Sequence, residues 1–289
     1  MKKIATSLSK SFLFGNARVL FERNRQQWDY PLTKWQKLAV GIYMILRDYG
    51  DGKFPPKYDN EAKAHEAEEA TEKTLQTLGM DSKRLRGIEL SKPFWNSPAC
   101  AKYLRDYARI QSAINRCGIT PPANILEVGC YSGWASEFLA LAGFHVVATD
   151  LHGEELVQSR IRSLAAKELE GKLEFRRAAM EHLREAFPSQ SFDAVFVYES
   201  LHHAYDWRQA LQSFHDVLSP NGWCFICSEP NLMHTFVSYR VGQLSNTHEI
   251  GMNARHIRKE LRQIGFKKVV VLRNRLHGWV KPIWIAAQK

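Results

Sequence analysis

The stretch Ile125-Leu126-Glu127-Val128-Gly129-Cys130-Tyr131-Ser132-Gly133-Trp134 puts a short apolar run, a carboxylate and two glycines in one place. Glycine at the end of a strand lets the backbone turn sharply and come close to a ligand. Exposed amides at the start of the following helix can meet a carboxylate or phosphate, and Ser132 is placed to cap that helix. Asp150 closes a second apolar run, HVVATD, 21 residues after Gly129. A carboxylate there can accept hydrogen bonds from both hydroxyls of a ribose. The glycine spacing is not G-x-G-x-x-G, because Tyr131 stands between Gly129 and Gly133, and this disfavours a nicotinamide-dependent dehydrogenase.

Two adjacent histidines, His202 and His203, follow the run FDAVFVYES. An unperturbed imidazole titrates near neutrality, so either ring suits removal of a proton from an oxygen or nitrogen. If the segment is extended, neighbouring side chains point to opposite faces, so one histidine is expected to be catalytic and the other structural, with His202 favoured. Glu199, Tyr205, His234 and His248 are secondary candidates. Cys224 and Cys227 form C-x-x-C, but on a strand positions three apart face opposite ways, so no metal or redox site is expected from them. The 11 histidines show neither H-x-x-x-H nor H-E-x-x-H spacing, so no metal site is assigned.

The elements that must position these residues alternate after residue 120. Strands are expected at 124–128, 145–149, 172–176, 192–198, 223–228, 268–273 and 282–287, and helices at about 133–142, 154–168, 206–218 and 254–264, with Gly265 as C-cap. This rhythm predicts an α/β fold with a mostly parallel sheet covered on both faces. The last two strands are expected to pair as an antiparallel hairpin at one edge, through a loop containing Gly278. Before residue 120 the pattern is helical, over 33–48, 61–79 and about 97–117. The domain reading is a helical extension over 1–94 that lids the acceptor, then a catalytic domain over 95–289.

ILEVGCYSG, VVATD, MEHL, FDAVFVYESLHH and LSPNGWCFICSEP together resemble the motif series of class I S-adenosylmethionine-dependent methyltransferases. The resemblance covers about residues 95–289 and implies a Rossmann-like seven-stranded sheet, mostly parallel with an antiparallel edge hairpin, and S-adenosylmethionine as cofactor. It implies that Gly129 and Gly133 line the methionine end of the cofactor, that Cys130 and Tyr131 also belong to the cofactor site, and that Glu127 lies beneath it near the ammonium group. It also implies that Asp150 binds the ribose, that Leu151, Met180 and Glu181 lie at the adenine, and that Tyr198 and Glu199 face cofactor and substrate. The family often has a glycine where Tyr131 stands and an acidic residue where Ala179 stands.

Charge is unevenly held. The net +10 divides into +8 over residues 1–120, −7 over 121–253 and +9 over 254–289. Basic ends around an acidic middle fit an anionic partner at the ends or a solvated lysine-rich surface. No apolar run approaches the roughly 20 residues of a membrane span, and five cysteines are too sparse for a disulfide framework. The expected compartment is the cytoplasm. The expected reaction is methyl transfer to an O or N of a small molecule or sugar-containing metabolite. The alternatives are an anionic polymer (RNA or a membrane-linked glycan, with peripheral membrane contact) and a non-catalytic cofactor-binding subunit. Nucleic acid is not the favoured partner.

Overall fold

A computed structural model describes residues 2–11, 14–27, 30–167, 171–272 and 281–289. The helices are α1 (Lys2–Lys10), α2 (Gly15–Gln26), α3 (Lys34–Gly50), α4 (Glu61–Glu69), α5 (Thr71–Thr77), α6 (Ser82–Ser91), α7 (Ser97–Arg116), α8 (Trp134–Leu141), α9 (Glu154–Ala165), α10 (Leu183–Ala186), α11 (Trp207–Val217), α12 (Thr235–Ser245) and α13 (Ala254–Ile264). The strands are β1 (Asn124–Val128), β2 (His145–Asp150), β3 (Lys172–Arg177), β4 (Phe192–Tyr198), β5 (Leu218–Glu229), β6 (Lys268–Val271) and β7 (Ile283–Gln288).

All seven strands join one sheet in the order β3-β2-β1-β4-β5-β7-β6. The first five are parallel, and β7 lies antiparallel between β5 and β6. The expected edge hairpin is therefore present, with its second strand inserted beside β5. Its loop, with Gly278, falls outside the described residues. Val, Ile, Phe and Ala fill the central strands because both faces are covered, and Leu126, Val195, Phe196, Phe225 and Ile226 are wholly buried. The strand order reverses between β1 and β4, which opens a crevice at their carboxyl ends.

The chain forms two compact units. One takes in Leu85–Glu229 and, from Asn253 on, the sheet's last helix and two strands. The other takes in residues up to Arg84 together with Pro230–Met252. Its core joins Phe21, Val40, Tyr43 and Met44 to Tyr239 and Leu244 of α12. The α3 helix starts at a capping box, in which the Thr33 side chain accepts from the Gln36 amide and the Gln36 side chain accepts from the Thr33 amide. The expected helix over 61–79 is split at Ala70 into α4 and α5. Sequence periodicity gave no sign of α12, because it buries Thr235, Ser238, Arg240, Gly242 and Ser245 alongside its apolar residues. A helix whose buried face is polar and small shows no apolar stripe. No described helix is long and apolar enough to cross a membrane.

Candidate active site at the carboxyl edge of the sheet

The turn after β1 is built from left-handed backbone. Gly129, Tyr131 and Gly133 have φ of 68°, 44° and 63°. A β-carbon on Gly129 would collide with the Ser200 side chain, so the site needs glycine for space as well as conformation. Gly129→Ala is expected to cost about 1–2 kcal/mol from the backbone alone, and more from the collision. Adding Ser200→Gly should return the second part, read by denaturant unfolding of single and double variants. Equal stability of the two would show that Ser200 is not the obstacle.

The α8 helix corrects the expected role of Ser132. Its N-cap is the left-handed Gly133, with no side-chain cap. The capping function is supplied from below, by Glu127 of β1, whose Oε2 accepts from the Ser136 amide at 2.9 Å and from the Ser136 hydroxyl. Ser132 is buried, and its carbonyl accepts from Arg160 Nε at 2.5 Å. Burial pushes the Glu127 carboxyl up to about 7 against the lowering effect of both Ser136 bonds. Glu127 therefore contributes most to stability below the usual carboxylate range, and that contribution is lost as pH rises through 7. At about 1.36 kcal/mol per pKa unit, Glu127→Gln should gain about 1–3 kcal/mol on the parent between pH 5 and pH 8. Denaturant unfolding at the two pH values measures it, and a difference independent of pH would contradict the ionisation.

Asp150 ends β2 at the same edge. Its Oδ2 accepts from the Tyr131 amide at 2.7 Å and its Oδ1 from the His152 amide at 3.1 Å. His152 Nδ1 also lies 3.1 Å from Oδ1; an ionised carboxylate offers about four acceptor positions, so these contacts orient Asp150 and leave capacity for a hydroxyl donor. The side chain of Tyr131 turns toward the loop after β2, with its ring 5.1 Å from that of His152. Lys92 Nζ lies 6.0 Å from the Tyr131 ring centroid. Cys130 is buried, its amide bonded to the Thr149 carbonyl at 3.0 Å, and burial holds its thiol well up and uncharged. Leu151 is half-buried just beyond Asp150. Met180 starts the 3₁₀ turn Met180–His182, with its methyl 3.6 Å from the position a Gly129 β-carbon would take. The neighbouring Glu181 is buried and accepts from the Asp206 amide at 3.3 Å.

The ends of β4 and β5 carry a polar network. Tyr198 Oη donates to Asp106 of α7 at 3.0 Å, and Lys102 Nζ lies 2.7 Å from both Tyr198 Oη and Glu199 Oε1. Burial first, then the nearby carboxylates, drive the Tyr198 phenol far up, so it stays neutral. Ser228 Oγ donates to Glu199 at 3.1 Å. Glu199 and Ser228 both have left-handed backbone, φ 50° and 60°. Together with Tyr131, they place left-handed non-glycine residues at the ends of β1, β4 and β5.

His202 and His203 sit in the 3₁₀ turn Leu201–His203. This corrects the premise of an extended segment: the two rings lie side by side, centroids 4.2 Å apart. His202 is buried, and its Nδ1 is 2.8 Å from Oε2 of the wholly buried Glu229. Of the secondary candidates, Tyr205 is exposed, while His234 and His248 belong to the helical unit. The sequence reading missed Lys102, Asp106 and Arg160 because charged residues on amphipathic helices read as solvated surface. Arg160 is instead buried, and its guanidinium also bonds Glu137 and, at 2.9 and 3.2 Å, the carbonyls of Glu89 and Lys92.

Residues 126–226 match a family model described as a methyltransferase domain. An S-adenosyl-L-methionine-dependent Diels-Alderase from Talaromyces variabilis is 34% identical over 100 residues, 35% of this chain and 34% of that protein. A ubiquinone biosynthesis O-methyltransferase from Chromobacterium violaceum is 28% identical over 138 residues, 47% of this chain and 58% of that protein. The match thus spans about a third to three-fifths of these curated relatives. The solved structure of the CurJ carbon methyltransferase aligns with a TM-score of 0.52 at 14% identity, covering 94% of this chain and 70% of that one, which speaks to the fold. With the strand order, the glycine turn after β1 and the carboxylate ending β2, the match identifies residues 126–226 as a methyltransferase domain of Rossmann-like fold.

Proposed function

We propose that this chain transfers the methyl group of S-adenosylmethionine to an oxygen or nitrogen of a small molecule or sugar-containing metabolite. One observation carries the reading: the glycine turn, Asp150, Tyr198 and His202 all stand at the carboxyl ends of β1, β2 and β4, where the strand order reverses. The residues present fit the cofactor. Gly129 and Gly133 give the turn its left-handed backbone beside Asp150, which is held with acceptor capacity to spare. Gly129, Cys130, Tyr131 and Gly133 would hold its methionine end above Glu127, Asp150 its ribose, and Leu151, Met180 and Glu181 its adenine. When bound, it supplies a methyl already activated on a sulfonium.

The chain's task is then mostly orientation. Tyr198, fixed by Asp106 and Lys102, shapes the acceptor side. His202 takes the proton that the acceptor sheds as its new O–CH3 or N–CH3 bond forms. Residues 1–94 serve acceptor selection in this reading. The curated relative in ubiquinone biosynthesis supports an oxygen acceptor on a small molecule.

The test is incubation of the protein with isotopically labelled S-adenosylmethionine and a metabolite extract, followed by mass spectrometry. A labelled small product supports the reading. Label in RNA or glycan would replace it with a polymeric acceptor. Cofactor binding without any labelled product would point to a non-methylating use of the site, as the relation to a Diels-Alderase allows.

A further inference from the structure

We propose that Arg240 of α12 is an anion-binding residue: the guanidinium edge formed by Nε and Nη2 is placed to hold the carboxylate or phosphate group of a ligand of the helical unit. The proposal stands apart from the methyl-transfer reading.

Within this unit α12 lies backbone-close on α3 at Gly41, where a β-carbon would strike the Phe236 carbonyl. Arg240 follows one helical turn later and is 8% exposed. Its Nη1 donates to the side-chain oxygen of Asn24 on α2. Its Nε is fully buried without a hydrogen-bond partner, and Nη2 bonds to none of the described residues. Asp48, the buried acid of α3, does not pair with it: Tyr239 Oη and Arg47 Nε both donate to that carboxylate at 2.7 Å. Burial lowers the Arg240 pKa, and no carboxylate among the described residues offsets it. A guanidinium nevertheless stays charged in a protein.

A buried charge is costly unless it is paired and hydrogen-bonded. Arg160 shows how a structural arginine of this chain is satisfied. It is similarly buried, and its guanidinium bonds Glu137 and the carbonyls of Ser132, Glu89 and Lys92. Arg240 has one partner among the described residues, and that partner is neutral. Nε–H and the adjacent Nη2–H lie parallel in the guanidinium plane, the fork that grips a carboxylate or phosphate through two charge-assisted bonds. Asn24 holds the opposite corner of the plane, so this edge is oriented and left for an oxyanion. The small exposed remainder of the side chain admits one.

The intact isotope-labelled chain tests this by NMR of the Arg240 Nε–H, assigned through its own backbone, during titration with inorganic phosphate or acetate at constant pH and ionic strength. The resonance should shift saturably with at least one anion, half-saturating below about 10 mM. The tighter response names the group: phosphate for a phosphorylated ligand, acetate for a carboxylate ligand. At ten times the half-saturating concentration, that anion should raise Tm by about 3 °C or more. Arg240→Lys keeps the charge without the fork and Arg240→Met lacks both, so each should lose at least half of that rise.

An Arg240 resonance that does not shift saturably with either anion overturns the proposal, and this outcome stands even if neither variant folds. An equal rise in Tm in the parent and Arg240→Lys overturns it too, because the gain would then be a general salt effect. A chain that binds no S-adenosylhomocysteine would refute the proposed activity instead, which is a separate result.

Discussion

His202→Ala should lower kcat for methyl transfer by about 10²–10⁴, the usual loss when a general base is removed, while S-adenosylmethionine affinity stays within about twofold. The ring is buried at the end of β4, in the turn whose Ser200 crowds Gly129, and its Nδ1 is committed to Glu229. A side chain oriented by a buried carboxylate has its proton-accepting nitrogen fixed, as a base requires. His203 lies against it, with centroids 4.2 Å apart, but is only half-buried. His203→Ala should change kcat by less than tenfold. The measurement is initial-rate incorporation of labelled methyl into the product identified from the extract, with cofactor affinity determined separately. If both variants turn over within a few-fold of the parent, positioning supplies the rate alone and neither ring is the base.

The centre of the sheet was legible because β1 and β4 are short apolar runs separated by helices, as strands covered on both faces are. Thr33, Asn96 and Asp206 cap their helices by side-chain bonds, and Gly265 closes α13 with φ 119°. The turn after β1 was legible through glycine, whose left-handed backbone leaves a residue-type signature. The supporting partners were not. Glu229 lies 27 residues from His202, and Arg160 reaches Ser132 across 28. Nothing in local periodicity encodes a hydrogen bond made through tertiary structure. Glu127 shows the same limit, since its resemblance-based place beneath the cofactor gave no hint that its carboxylate caps α8 through Ser136. The 3₁₀ turn at His202 escaped notice because three residues carry too little pattern to separate a tight turn from an extended end.

Asp150→Ala should weaken S-adenosylmethionine binding by about 1.5–3 kcal/mol, the range for hydrogen bonds to a charged group. That is about 10- to 150-fold in Kd. Asp150 is nearly buried at the carboxyl end of β2, and its two oxygens are oriented by the Tyr131 and His152 amides. A ligand hydroxyl thus meets a carboxylate that needs no reordering, the condition under which such a bond contributes its full strength. Alanine also leaves the Tyr131 amide without its acceptor, which loosens the turn that should lie against the methionine end. Asp150→Asn separates the two effects, because it keeps an acceptor for the amide while removing the charge. The measurement that bears most directly on the cofactor site is calorimetric titration of S-adenosylmethionine into the intact chain and into Asp150→Ala, with circular dichroism showing both folded. One site per chain, with a Kd raised about 10- to 150-fold in the variant, is the predicted result. No binding to the parent, or the same Kd in both proteins, would contradict a cofactor site at the β1 turn and Asp150.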